Sequence, residues 1–123
     1  MADSIVGVKS FDFALRIVKL YKYLCDEKKE YVLSKQLLRS RTSIGANIRE
    51  ALHRQSKRDF LAKLGIALKE ANETLSWIEL LYASEYINEK QKNAMWADNN
   101  EIISLLVSII KTTKSNLEGI SNG

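Results

Sequence analysis

Residues 57–85, KRDFLAKLGIALKEANETLSWIELLYASE, decide the fold class because apolar residues recur along them every three or four positions. This spacing lines up one face of an α-helix and continues for about six turns. Ser56 is suited to cap the first amide groups of the helix, and Asp59 adds negative charge to its first turn. The stretch therefore predicts a long amphipathic helix, whose core-facing residues are Phe60, Leu64, Ala67, Leu68, Ala71, Leu75, Ile78 and Tyr82.

Three further helices are predicted around this one, and together they span about 10–27, 33–54, 57–85 and 89–118. Ser10 is a candidate N-cap of the first helix, and Asn88 with Gln91 has capping-box spacing before the fourth. The chain has no proline to interrupt these helices. Short connections force consecutive helices to run antiparallel, so we expect an all-α, antiparallel up-down-up-down four-helix bundle that forms a single domain over 1–123. The predicted core residues of the first helix are Ala14, Ile17, Val18, Tyr21, Leu24 and Cys25.

Positive charge is concentrated in one segment of the 123-residue chain, whose net charge is +4. Residues 35–63 contain eight Lys or Arg residues and two acids, whereas the remainder is slightly acidic. The single cysteine, Cys25, excludes an intramolecular disulfide. Neither a signal peptide nor an apolar run long enough to cross a bilayer is recognisable. We therefore expect a cytoplasmic protein with no contact to a membrane.

The residues available do not indicate catalysis or metal binding. His53 is the only histidine and Cys25 the only cysteine, so they form neither a zinc site nor a recognisable nucleophile pair. A di-metal carboxylate site in a bundle needs two Glu-x-x-His motifs, and only one is present, from Glu50 to His53. We expect a protein that is not an enzyme and has no catalytic residue, no metal site and no cofactor.

The second predicted helix has a positively charged outer face. At about 100° per residue, its Lys, Arg and His side chains fall opposite the apolar stripe with no acid among them. Such a row can neutralise phosphates of a nucleic acid backbone without reading the sequence, although a solvated helix face is the alternative. No aromatic residue is interleaved, as single-strand binding would require. Including the following turn, the candidate nucleic-acid-binding residues are Lys35, Arg39, Arg49, His53, Arg54, Lys57 and Arg58.

Two further rows beside the core predict contacts between helices or between subunits. Small polar residues recur along the second helix, and hydrogen-bonding groups in that position commonly join neighbouring helices. On the third helix Ile66, Trp77 and Leu81 fall outside the predicted core stripe, which is typical of a subunit interface and predicts a homo-oligomer. The predicted interhelical or subunit polar network comprises Gln36, Ser43, Asn47, Glu50 and Glu73.

The segment 34–50, SKQLLRSRTSIGANIRE, forms a specific pattern together with Asp59-Phe60 and with IALKEANETL at 66–75. The chain resembles the bacterial 23S rRNA intervening-sequence protein family over essentially its whole length. The resemblance implies a bacterial four-helix bundle whose biochemical role is poorly defined. The positions that match the family pattern are Gln36, Leu37, Arg39, Ser43, Ile44, Asn47, Ile48, Glu50 and Glu73.

A related bundle, the accessory variability protein of diversity-generating retroelements, forms a basic pentameric barrel that binds nucleic acid and a reverse transcriptase. By this similarity the expected oligomer is a pentamer. The chain departs from many family members at Ala51, where they have glycine, and at Arg41, where they have a small residue. Our first hypothesis is an oligomer that contacts nucleic acid, foremost RNA and otherwise DNA, through the basic face of the second helix and the start of the third. The alternative is a protein–protein interaction scaffold whose partner is a protein and which has no nucleic-acid role.

Overall fold

The computed structural model describes residues 2–53 and 56–122, with side chains described for 5–40, 42–53 and 56–118. Its four helices are α1 (Ala2–Asp26), α2 (Leu33–Leu52), α3 (Lys57–Ala83) and α4 (Glu89–Asn122). These residues include no β-strand. None of the described helices combines the length and the apolar character that crossing a bilayer requires.

The helices form a square in which each one packs against two neighbours. Helix α1 contacts α2 and α4, and α3 also contacts α2 and α4, while the diagonal pairs do not meet in the described part of the chain. Lys9 of α1 pairs with Glu101 of α4, and Arg16 pairs with Asp98, so the two helices run in opposite directions. Connections of six, four and five residues leave room only for side-by-side packing of consecutive helices. The predicted all-α four-helix bundle is confirmed.

The ends of the first and last helices differ from the prediction. Helix α1 begins at Ala2 rather than near Ser10, because Val6 is buried and extends the core toward the N-terminus. Ser10 lies inside this helix, where its hydroxyl donates to the carbonyl of Gly7 at 3.0 Å. Helix α4 continues to Asn122, past its predicted end at 118.

The predicted caps of α3 and α4 are confirmed. Ser56 Oγ accepts a hydrogen bond from the backbone amide of Asp59 at 3.1 Å. Asn88 Oδ1 accepts from the amide of Gln91, and Gln91 Oε1 accepts from the amide of Asn88, both at 2.8 Å. These bonds satisfy amide groups that have no partner within the helix, and they explain why both helices begin where the sequence predicts.

Buried residues recur along α3 at alternating spacings of three and four, which gives a seven-residue repeat. This repeat belongs to helices that pack side by side at a shallow angle, and it drifts relative to the ideal period of 3.6. Leu75 and Tyr82, which were predicted to face the core, are therefore only half-buried. The buried residues at these two turns are instead Thr74 and Leu81. Helix α1 shows the same shift away from Val18, Tyr21 and Cys25, and its buried apolar residues are Val6, Phe13, Ile17, Leu20 and Leu24.

Asn99 is a polar side chain that joins two helices inside the bundle. It is fully buried on α4, and its amide nitrogen donates to the backbone carbonyl of Ala71 on α3 at 2.7 Å. Its Oδ1 atom has no hydrogen-bond partner in the described part of the protein. A buried Asn in a helical seam lowers stability but favours one register over others. Asn99 is thus suited to align α3 with α4, a role that sequence reasoning assigned to other residues.

Candidate nucleic-acid interface

The buried carboxylate of Glu30 anchors the start of α2. It is 7% exposed and accepts hydrogen bonds from the backbone amides of Val32, Leu33 and Ser34. These amides precede the first helical hydrogen bonds, so the carboxylate satisfies them and places negative charge at the positive end of the helix. The Ser34 hydroxyl donates to the carbonyl of Glu30 at 2.9 Å. Helix α2 therefore starts in one defined orientation relative to α1.

The cations predicted to bind nucleic acid are exposed wherever they are described, and Arg54 lies outside the described residues. Lys35 and Arg39 lie near the start of α2, whereas Arg49 lies about 15 Å further along the axis at 1.5 Å per residue. Lys57 and Arg58 open α3, where the helix N-terminus adds to their positive field. We call the following residues the cationic face: Lys35, Arg39, Arg49, Lys57 and Arg58.

His53 is exposed but borders acidic residues, so we do not count it in the cationic face, and its predicted contact with nucleic acid stays a prediction. It lines a shallow pocket at the α2–α3 turn together with Glu50, Asp59 and Lys63. The two carboxylates make this pocket mixed in charge, because the four-residue turn brings the first turn of α3 beside the last turn of α2. The outer face of the second helix was predicted to contain no acid, and the acids near His53 come from the neighbouring row of α2 and from α3.

Three ion pairs occur among the described residues, and none of them uses a member of the cationic face. The pair nearest to it joins Lys63 and Glu50 at 2.9 Å, on the side of α2 that faces α3. The hydrogen bond from Lys63 to Glu50 raises the pKa of the Lys63 ammonium group, and the charge of Glu50 acts in the same direction. The positive charges of the cationic face therefore have no acidic partner in the described part of the chain.

The predicted interhelical or subunit polar network forms few bonds between helices of the described chain, and its contacts between subunits stay a prediction. The Asn47 side chain donates to the carbonyl of Ser43 at 2.7 Å, within α2 itself. Glu73 is exposed beside Lys69 on the outer side of α3. Among the five predicted residues, Glu50 alone forms a bond between helices that the described residues show. Short polar side chains in helices often bond to the carbonyl one turn back, which explains why this row does not bridge the seam.

The predicted subunit interface on α3 is wrong at Leu81, which is fully buried in the core of its own chain. Trp77 is half-buried and packs against that core, and Ile66 is 44% exposed. The error follows from the seven-residue repeat of the buried positions, because an ideal helical projection places Leu81 too far from the core by the end of a long helix. Ile66 and Trp77 remain predicted interface residues.

A second apolar surface was missed by the sequence reasoning, and it lies on α1. Ile5, Val8, Phe11 and Leu15 are 46%, 60%, 61% and 48% exposed, and their spacing of three, three and four places them along the outer side of one helix. We call these four residues the apolar face of α1. The signal was present in the sequence as a second apolar row beside the core row. Exposed apolar residues grouped in this way are typical of a protein–protein contact.

The apolar face borders an open cleft of about 390 Å³ between α1 and α2. Its lining residues include four small ones, namely Gly7, Ala14, Gly45 and Ala46. Phe11 and Leu15 line one wall, and Arg49 of the cationic face lines the other. The cationic and apolar surfaces therefore meet along the α1–α2 seam.

Side chains suited to metal or nucleophilic chemistry are dispersed. Within the described residues, no group of three or more His, Cys, Asp or Glu side chains is placed to hold a metal ion. Cys25 is half-buried, with its Sγ 3.8 Å from Ser34 Oγ. The surfaces that distinguish this protein are accordingly the cationic face and the apolar face of α1.

These features define a class, an all-α four-helix-bundle protein with a cationic helix beside an apolar one. The chain belongs to the family described as 23S rRNA-intervening sequence protein, whose pattern matches residues 2–108. The predicted resemblance is thereby confirmed. The family is one of unknown function and is not a known enzyme family.

A solved structure supports the same assignment. The crystal structure of a protein of unknown function from the S23 ribosomal protein family of Bacteroides thetaiotaomicron is similar to this chain, with a TM-score of 0.89 and 59% sequence identity. The similarity covers 90% of this chain and 99% of that one. No curated protein matches the chain.

Proposed function

We propose that this protein is a non-enzymatic, self-associating bundle of the cytoplasm that contacts nucleic acid, foremost RNA, through its cationic face. The observation that supports the proposal is the set of five exposed Lys and Arg side chains on α2 and the start of α3, which have no acidic partner in the described chain. Cations that are not neutralised within the protein can each displace counterions from a phosphate backbone, which favours association.

The spacing of these cations suits contact with a backbone rather than readout of bases. Arg39 and Arg49 are about 15 Å apart along α2, a distance that corresponds to roughly four phosphates of one strand. The interval between them holds Thr42, Gly45 and Ala46, which are too short to reach into a groove. Contacts of this type give affinity and orientation without sequence preference.

Self-association is supported by the apolar face of α1, for which we propose a second copy of the chain as the partner. Phe11 and Leu15 project beside the small residues Gly45 and Ala46, so one surface presents both large side chains and the space to accept them. Asp12 is exposed on the same helix and Arg49 lines the cleft, which gives complementary charges between copies. A head-to-tail contact forms a ring when the rotation between successive copies closes, and the ring we propose is the pentamer implied by the family resemblance.

A salt series with RNA tests the nucleic-acid contact. The Lys35→Ala, Arg39→Ala double variant removes two cations that lie away from the α1 cleft, so assembly is left intact. We expect its affinity for an RNA duplex to fall, and the slope of log affinity against log salt to decrease by about two units, because each lost phosphate contact contributes about one. Fluorescence anisotropy with labelled duplex measures both quantities.

The matched control is the double variant Lys111→Ala, Lys114→Ala, which removes two exposed cations from α4, the helix diagonal to α2. We expect it to bind RNA with nearly unchanged slope. Equal effects of the two double variants would show that net charge, not the cationic face, governs binding. Absence of salt-dependent binding by the unaltered protein would favour the alternative function, a scaffold that meets an acidic protein through Arg49 and the adjoining apolar cleft.

A further inference from the structure

Three tyrosines from separate parts of the chain line one open cleft at the end of the bundle opposite the α2–α3 turn. Tyr23 lies in the last turn of α1, Tyr82 in the last turn of α3, and Tyr86 in the connection to α4. The cleft has a volume of about 540 Å³, within the range of roughly 300 to 1,000 Å³ that is usual for small-molecule pockets. Only the packing of α1 against α4 brings Tyr23 to the other two rings.

Two lysine ammonium groups lie near the rings of tyrosines that line this cleft. The Nζ atom of Lys28 lies 6.0 Å from the ring centroid of Tyr23, and that of Lys92 lies 4.5 Å from the ring centroid of Tyr82. Both distances are within reach of a cation–π attraction. Tyr86 is half-buried and packs partly against the core, and no lysine lies over its ring in the described part of the chain. The exposed part of its ring is therefore open to another planar group.

The backbone around Tyr86 is held in place by hydrogen bonds. Two residues after the end of α3, Glu85 adopts the left-handed conformation with φ of 66°. The amide of Tyr86 donates to the carbonyl of Leu81 at 2.9 Å. The amide of Glu85 donates to the carbonyl of Tyr82, which completes a Schellman arrangement. Ile87 follows at 4% exposure and anchors the other side. The backbone that carries Tyr86 is therefore preorganised, which lowers the ordering entropy that binding costs.

The cleft also contains polar groups that can donate or accept hydrogen bonds. Asn88 and Gln91 use their side-chain oxygens to cap α4, and each also carries an NH₂ group at the cleft. Each NH₂ group offers two donors, and Glu85 adds an exposed acceptor at the rim. A stacking ring, amide donors, a carboxylate and two ammonium groups together match an unpaired nucleotide, whose base stacks and pairs while its phosphate meets a lysine.

We infer that the tyrosine cleft binds an unpaired nucleotide of single-stranded RNA, with Tyr86 as the stacking residue and Lys28 and Lys92 beside the phosphate. The inference rests on the proposed contact with RNA and adds a second site to it. The cationic face binds backbone in either strand state, because phosphates are exposed in duplex and single strand alike. The cleft, by contrast, requires a base that is unpaired and not stacked on its neighbours.

The experiment compares a short oligouridylate with an RNA duplex of equal length, using the full chain and fluorescence anisotropy. Tyr86→Leu removes the aromatic ring and retains apolar bulk, so we expect single-strand affinity to fall about 5- to 100-fold, the effect of losing one stacked base. Duplex affinity and the salt slope should stay unchanged, because no phosphate contact is lost. Tyr86→Phe retains the ring and should bind the single strand within about 2-fold of the unaltered protein.

Tyr31→Leu is the matched control, because Tyr31 is exposed near the same end of the bundle and does not line the cleft. It should leave single-strand affinity unchanged. The inference is overturned if folded Tyr86→Leu, verified by its thermal melting curve, binds the oligouridylate as well as the unaltered protein does, or if the unaltered protein does not bind it at all. Loss of binding in Tyr86→Leu but not in the Lys35→Ala, Arg39→Ala variant would instead refute the proposed role of the cationic face and leave the cleft supported.

Discussion

The outer surfaces of α1 and α2 lie side by side along one seam, and they differ in chemistry. Helix α2 presents Lys35 and Arg39 to solvent, whereas α1 presents Val8, Phe11 and Leu15. Long cationic side chains remain solvated almost wherever a helix places them, so their exposure follows from the sequence. An apolar residue resembles a core residue until the neighbouring helices define which side is buried. Charged surfaces are therefore easier to predict from a sequence than apolar ones.

Arg49 lies where the two surfaces meet, because it lines the cleft that Phe11 and Leu15 also line. In the assembly we propose, the interface between two copies would lie beside the cationic face of each copy. Nucleic acid would then cross from one subunit to the next near Arg49. Assembly and RNA contact would therefore be coupled, since a ring presents several cationic faces to one strand and raises the effective concentration of each.

The largest effect that we expect is on self-association, when the apolar face of α1 is made polar like the surface of α2. Phe11→Ser with Leu15→Ser converts the apolar face of α1 into a polar one. Full burial of such a side chain contributes about 1.5 to 3 kcal/mol, and Phe11 and Leu15 are 61% and 48% exposed before association. About half of that contribution is therefore available from each residue, so we expect the dissociation constant between copies to rise about 10- to 100-fold. Light scattering coupled to size-exclusion chromatography measures the shift from oligomer to monomer.

The control for this prediction is Leu80→Ser with Val107→Ser, which removes two side chains that are 45% and 48% exposed on α3 and α4. The oligomer should survive in that variant. Ile66→Ser tests the interface predicted on α3, and its dissociation would place the contact there instead. An unaltered protein that is monomeric at micromolar concentration would contradict the self-association proposal altogether.

A smaller effect is expected from glycine-to-alanine substitutions, which distinguish packing within one chain from packing between two copies. An added Cβ at Gly45 or at Gly65 meets no atom within 4 Å, so Gly45→Ala and Gly65→Ala should each raise the free energy of unfolding by about 1 kcal/mol. Gly45 lines the α1–α2 cleft, and Gly65 lies on the outer side of α3. If a second copy packs into the cleft, Gly45→Ala weakens assembly and Gly65→Ala does not. Urea unfolding and light scattering measure the two effects, and equal effects on assembly would contradict this use of the cleft.

The smallest expected effect concerns the ion pair between Lys63 and Glu50. Because the folded-state pKa of Lys63 lies above its unfolded value, the stabilisation is fully present below the unfolded value and disappears as pH rises through the folded one. We expect the stability difference between the unaltered protein and Lys63→Gln to be constant at neutral pH and to shrink only in alkaline solution. Urea unfolding across a pH series measures it. Lys69→Gln, on the same helix without an ion pair in the described chain, should show no comparable trend, and a difference that vanished near neutrality would contradict the assignment.

Much of the fold was predictable because its signals are local. The caps at Ser56 and at Asn88 with Gln91 depend on side chains that lie three residues from the amides they bind. Helix number, short connections and the exposure of Lys35 or Arg39 likewise follow from spacing alone. The ends of α1 and α4 were not predictable in this way, because tertiary burial of residues such as Val6 decides how far a helix extends.

The candidate site was predictable only in part, and its failures have a common cause. Projection of an ideal helix placed Leu81 outside the core and Val18 inside it, whereas the packed helices follow a seven-residue repeat. His53 was grouped with the basic residues of the second predicted helix because only its helical position was known. The short turn that brings Asp59 beside it is a property of the folded chain.

The sequence by itself determined that the chain is helical, where α3 and α4 begin, and which segment is basic, because these properties depend on residues within one or two turns of each other. The tertiary structure decided which apolar row is buried and that Asn99 bonds to Ala71 across a seam. It also decided that Tyr23 shares a cleft with Tyr82 and Tyr86. Those pairings join residues far apart in the chain, and their geometry depends on the phase and register of packed helices, which no local pattern specifies.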